Sequence, residues 1–187
     1  MLEADLIHRA ARGEEEAFQV LYRRYRDPLF RFAFRLTGSA ETAEDLAHDC
    51  FLSLLRSPGR FSPADGTLRA YLYAAVRNLA WKRFRDSSRE ASGGGTDPEP
   101  AGDEQGPFAE LSAEEEAALV REAVLGLPAL QREVIVLVEY EGLSLSETAS
   151  VVGTEVGTVK ARLHRARQNL RSRLLPVLRG RKGSSHG

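Results

Sequence analysis

Between Glu44 and Cys50 the chain reads EDLAHDC, so that Glu44, Asp45, His48, Asp49 and Cys50 place carboxylates, an imidazole and a thiol within one or two helical turns. Those groups are ligands that zinc accepts, and a thiol beside an imidazole is a pairing that makes a nucleophile. A structural reading competes with the chemical one. At helical spacing Cys50 falls on the apolar face with Ala43, Leu46, Ala47, Phe51 and Leu54, where free cysteine packs as a small hydrophobe. His8, His164 and His186 build no second ligand cluster, and no phosphate-binding glycine loop is present. Catalysis is therefore the weaker reading, and neither a metal nor another cofactor is expected.

Charge gives a second grouping. From Val156 onward there is no Asp or Glu but nine cations, from Lys160 to Lys182, although the formal net charge of the 187 residues is only -1. The compensating acids crowd into residues 86–116, from Asp86 to Glu116, against the single cation Arg89. Such segregation points to a polyanionic partner for the basic end. One cysteine forms no internal disulfide, the opening MLEADLIHRAARGEEE has no apolar core of signal-peptide length, and no later run approaches a membrane span. The expectation is a cytoplasmic protein without membrane insertion.

The elements that position these groups read as helices. Phe18, Leu21, Tyr22, Tyr25, Leu29, Phe30, Ala33 and Leu36 recur at helical spacing, with Asp27 and Pro28 suited to cap and restart a helix. A second helix should run from Ser39 to Leu55. A third, capped by Thr67, should run to about Arg85 with Leu68, Tyr71, Leu72, Ala75, Val76 and Leu79 inward. The Gly-, Pro-, Ser- and acid-rich stretch after it cannot bury enough surface to fold. The expected fold is all-α: a helical bundle over 1–86, a flexible acidic linker over 87–110, a second helical domain over 111–178, and a disordered basic tail over 179–187. In the second domain Ser112 with Glu115 and Ser144 with Glu147 have capping-box spacing, and Pro128 opens a helix through VIVLV to about Tyr140.

The end of that domain fits a helix-turn-helix. The crossing needs a small residue, the turn a residue tolerant of positive φ, and the second helix an apolar anchor; Ala149, Gly153 and Val159 occupy those positions. The second helix then offers Thr154, Glu155, Thr158, Lys160, Arg162, His164, Arg165 and Arg167 on the faces that Val156, Val159, Leu163, Ala166 and Leu170 leave free. Turn geometry and charge coincide, so a DNA footprint is favoured over a merely solvated cationic face. In the first domain Arg69, Tyr73, Arg77, Trp81 and Arg85 recur every four residues, interleaving cations with aromatics along what reads as an exposed stripe suited to an opened strand. Packing of Tyr73 and Trp81 into the bundle is the alternative.

The stretch LPALQREVIVLVEYEGLSLSETASVVGTEVGTVKARLHRARQNLRSRL resembles the domain of bacterial extracytoplasmic-function sigma factors that reads the minus-thirty-five promoter element. FQVLYRRYRDPLFRFAFRLTGSAETAEDLAHDCFLSLL and LRAYLYAAVRNLAWKRFR are similar to that family's other domain. The resemblance implies a dissociable specificity subunit of RNA polymerase with no catalytic centre of its own. It implies that Glu44, Asp45, His48 and Asp49 contact the clamp of the largest core subunit. It also implies minus-ten recognition and melting by the loop over 56–66 and the helix after it, with Arg60, Phe61 and Asn78 joining the stripe, and an anti-sigma factor as a further partner beside polymerase core and promoter DNA. The rival is a regulator that binds DNA without polymerase through the same helix-turn-helix.

Overall fold

The computed structural model describes residues 3–91 and 113–183, and every regular element among them is helical. The first lobe holds α1 (Glu3–Ala11), α2 (Glu15–Thr37), α3 (Ala40–Arg56) and α4 (Leu68–Ala91), with two short 3₁₀ turns between α3 and α4. The second holds α5 (Ala113–Leu125), α6 (Ala129–Ile135) continued by a π turn over Val136–Tyr140, α7 (Leu145–Val152) and α8 (Val156–Gly183). Helix α4 runs to Ala91, so the first residues of the linker expected over 87–110 are helical; its remainder, the expected cap at Ser112 and residues 184–187 lie outside the described residues. Helix α8 continues to Gly183, past the expected boundary at 178, so the first part of the expected tail is helical.

Local signals set most of the ends. Ser39 caps α3, its hydroxyl accepting from the Thr42 N–H at 3.2 Å, and the six expected inward residues, Ala43, Leu46, Ala47, Cys50, Phe51 and Leu54, are all buried. Thr67 caps α4 by accepting from the Ala70 N–H at 3.2 Å. The restart at Pro28 does not occur; α2 runs unbroken through it. Its apolar stripe continues on both sides of the proline, through Leu21, Tyr25, Leu29, Phe32 and Leu36, and burial of that stripe outweighs the lost backbone bond. Helix α1, absent from the sequence reading, closes the lobe with Leu6, Ile7 and Ala10.

The lobes pack against each other, α4 on α7 and α2 on α5, α6 and the π turn, and their buried apolar residues form one contiguous cluster. At the C-terminus of α2, Gly38 takes φ 75°, and its N–H donates to the Phe34 carbonyl at 2.8 Å. Leu125 of α5 covers this turn so closely that a Cβ on Gly38 would lie 3.1 Å from its Cδ1. Arg132 of α6 donates to the Leu36 carbonyl at 2.6 Å, satisfying an orphan acceptor at the α2 terminus. Gly38→Ala should therefore cost about 1–2 kcal/mol from the left-handed backbone alone, and more as the methyl meets Leu125. Urea unfolding measures it, and an unchanged midpoint would contradict this account of the turn.

Candidate nucleic-acid interface

The helix-turn-helix forms as its sequence requires. Ser144 and Glu147 make both capping-box bonds: the Ser144 hydroxyl accepts from the Glu147 N–H at 3.2 Å, and Oε2 of Glu147 accepts from the Ser144 N–H at 2.9 Å. The Ser144 N–H, and after it the Ser144 hydroxyl, which donates to the same Oε2 at 2.8 Å, hold the Glu147 carboxyl below its ordinary value. Gly153 ends α7 at φ 69°, ψ 44°, and the Thr154 N–H also turns back to the Ala149 carbonyl, at 3.1 Å. Ala149 is buried at the crossing and Val159 has no exposed surface. From the turn into α8, Glu155, Lys160, His164 and Arg165 are exposed, and Thr154 and Thr158 are half-buried. Arg167 is exposed and pairs with Glu139, its Nε donating to Oε1 at 2.9 Å. Arg162 instead turns inward, its Nη1 lying 3.5 Å from Oε1 of Glu133.

The α4 stripe has a different setting from the exposed one expected. Tyr73 is buried, its ring edge-on to Phe32 at 4.9 Å and its hydroxyl donating to Oε2 of Glu141 at 2.6 Å. Burial, then that bond, raises the phenol pKa above its ordinary value. Arg69 donates to the Glu141 backbone carbonyl. Glu141 also accepts from Arg35 of α2 at 3.0 Å, and Arg35 stacks on the Tyr140 ring at 4.6 Å. One step further along α4, Arg77 Nε donates to Oε2 of Glu133 at 2.7 Å, and the Trp81 indole N–H donates to the same oxygen at 3.0 Å. Glu133 has no exposed surface. The stripe thus faces the second lobe because two carboxylates and the Glu141 carbonyl there satisfy its donors. Only Asn78 and Arg85 of the α4 candidates remain clear of this packing; both are exposed, and Asn78 accepts from Arg77 at 3.3 Å.

In the loop before α4, Arg60 is exposed, whereas Phe61 is buried edge-on against Tyr71 at 5.6 Å. On α3, Glu44, Asp45 and His48 are exposed and Asp49 is half-buried, with Arg83 of α4 bridging Asp45 and Asp49 at 3.2 and 3.1 Å. Glu44, Asp45 and His48 line a groove of about 280 Å³ with Tyr22, Arg26 and Phe30. Cys50 points the other way, into the core, 3.7 Å from the Leu72 carbonyl. The groups of EDLAHDC therefore do not converge, and among the described residues no cluster of His, Cys, Asp and Glu could hold a metal.

The sequence matches the models for Sigma-70 region 2 over residues 21–90 and Sigma-70, region 4 over residues 117–170. It is 33% identical to the ECF RNA polymerase sigma factor SigM of Mycobacterium tuberculosis, over 94% of this chain and 86% of that protein. The chain belongs to the ECF family of RNA polymerase sigma factors. It is also 34% identical to the ECF sigma factor BldN of Streptomyces coelicolor over 92% of its own length, and spans 65% of that relative. Its structure is similar to that of the sigma factor RpoE in complex with the anti-sigma factor NepR from Bartonella quintana, with TM-score 0.67 and 28% identity over 84% of this chain and 96% of that one. For this sigma factor, a regulator acting without polymerase is disfavoured because it leaves the region 2 match over 21–90 unexplained.

Sequence reasoning missed Glu133, Glu141, Arg35 and Arg132, which organise the contact between the lobes. The available signal was the spacing of Glu133 and Glu141, eight residues apart on either side of VIVLVEY, the spacing that separates Arg69 from Arg77 and Tyr73 from Trp81. Burial pushes the Cys50 thiol up to about 12, because the charged form loses its solvation. The native protein should accordingly resist Ellman's reagent at pH 7 to 9 and react when denaturant is added. Rapid labelling of folded protein would show that the thiol is accessible after all.

Proposed function

We propose that this sigma factor reads the minus-thirty-five element with the first half of α8, binds the opened minus-ten strand with α4 and the turn before it, and docks on the polymerase clamp through the acidic face of α3. The observation that carries the reading is α8 itself. A left-handed glycine turn launches a helix whose exposed face holds Lys160, His164 and Arg165, with no acid after Glu155. Such a face suits a major groove, where phosphate contacts give affinity and salt dependence and each bidentate base contact adds about 1–3 kcal/mol of discrimination.

On α4, cations alternating with aromatics suit a single strand, since stacking contributes about 1–3 kcal/mol per base while the cations follow the backbone. In the closed arrangement Arg69, Tyr73, Arg77 and Trp81 are already engaged, so this half acts after the lobes separate. Arg60, Asn78 and Arg85 are exposed from the outset, and buried Phe61 supports the turn. Glu44, Asp45, His48 and Asp49 beside an open groove suit a basic protein surface, here the clamp. The likeness to a sigma factor bound by its anti-sigma factor supports a partner of that class. The site of action is the cytoplasm with RNA polymerase; no helix among the described residues is long and apolar enough to cross a membrane. No residue is given a catalytic role.

Transcription in vitro from a pool of promoter fragments, with purified protein and sigma-free core, tests the reading. Core-dependent, site-specific starts are expected; site-specific binding without core, and no starts with it, would overturn it. Arg165→Ala should weaken binding of the holoenzyme to its promoter and flatten the plot of log affinity against log salt by about one unit. An unchanged slope would remove Arg165 from the phosphate contacts.

A further inference from the structure

Glu133 and Glu141 are buried acids of the second lobe whose partners lie largely on the helix assigned above to the opened strand. The two meet α4 in register. Eight residues separate them, and the π turn between them absorbs one, leaving seven α-helical steps of about 100°, nearly two full turns. Both carboxylates therefore point the same way, and α4 repeats its cation–aromatic pair at the same interval of eight, about 12 Å along a helix. The Glu141 carboxylate accepts from Tyr73 and the Glu141 backbone carbonyl from Arg69, while the Glu133 carboxylate accepts from both Arg77 and Trp81.

We propose that these two carboxylates stand in for nucleic-acid phosphates and hold the free protein in a self-masked state, in which the strand-binding face of α4 is occupied by its own second lobe. The proposal rests on the strand role given to α4 above. Carboxylate and phosphate offer the same kind of anionic acceptor to a guanidinium fork, so the lobe and the strand compete for the same donors. The contact is also built to open. Removing one partner from a buried ion pair is costly because it strands a charge, whereas Glu133 keeps Arg162 of its own lobe 3.5 Å away when Arg77 leaves. The carboxylate loses one arginine, retains the other and gains water. Arg35 secures Glu141 from α2 without belonging to the strand face, so the closure can be loosened without altering α4.

Trp81 is the only tryptophan in the chain and sits on the masked contact, so its acrylamide quenching reports opening. The variants are Arg35→Gln and the double change Glu133→Gln with Glu141→Gln, each in the full chain and checked for cooperative unfolding. The probe is a short fluorescein-labelled single-stranded deoxyoligonucleotide of mixed sequence. Both variants should show greater Trp81 quenching, a larger hydrodynamic radius and about tenfold tighter strand binding, as when a competent state rises from a tenth of the molecules towards all of them. The wild-type chain should expand when saturated with strand. Folded variants with wild-type quenching and affinity, or strand bound by a wild-type chain that stays compact, overturn the proposal; the wild-type arm decides if a variant does not fold. Core-dependent starts in that case leave the proposed function standing. Opening without any gain in strand affinity overturns the masking together with the strand role of α4.

Discussion

A carboxylate with no exposed surface must be surrounded by donors, and the rest of this structure is arranged around meeting that requirement at Glu133. Burying a charge without partners costs several kcal/mol, on the order of the whole stability of a small domain. Arg77, Trp81 and Arg162 supply the donors, and they come from α4 and α8. A register shift of α4 against the second lobe would leave both Glu133 and Glu141 short of their partners at once. Apolar packing, by contrast, tolerates small slips, so the lobe contact owes its adhesion to the shared core and its register to the two acids.

That division explains the composition of α4. Its side towards α2 and α3 is aliphatic, with Leu68, Leu72, Val76 and Ala80 buried, and its side towards the second lobe is cationic and aromatic. A helix covered on both sides would ordinarily be apolar all round. In the self-masking proposed above one covering layer is detachable, and polar donors on that side keep α4 soluble when the layer leaves. Arg132 on the Leu36 carbonyl and Arg35 on Glu141 follow the same pattern: ionic or capping contacts that water can replace.

What was legible in the sequence is what is decided locally. The start of α3 at Ser39 and its apolar stripe, the capping box at Ser144 and the left-handed turn at Gly153 each depend on residues a few positions apart, and each formed where the pattern put it. The α4 stripe was recognised as a set but expected to be exposed, whereas the second lobe covers most of it. Cations alternating with aromatics every fourth residue describe a surface for phosphates and bases equally well as a surface for buried carboxylates. The choice lay with Glu133 and Glu141, 56 and 68 residues from Arg77 and Tyr73. No local pattern carries a contact of that range. Pro28 misled for the opposite reason, a strong local signal overridden by a stripe that packs on both sides of it. Arg162 was placed correctly on α8, but its inward turn depends on an acid in α6 that looks, in sequence, like any solvated glutamate.

The ambiguity of the α4 pattern is itself physical. Donors chosen to follow a phosphate backbone are donors for any anion at the right spacing, and a chain that carries 27 acids beside 26 Lys and Arg supplies such anions from within. Strand affinity is then a difference between two similar interactions, not the strength of one. A substitution that strengthens α4 as a cationic surface strengthens its hold on Glu133 and Glu141 as well, so the gain largely cancels. A substitution on the acids acts on the closed state alone. On the strand role proposed for α4, the second lobe's carboxylates are therefore the positions from which the threshold for binding is set.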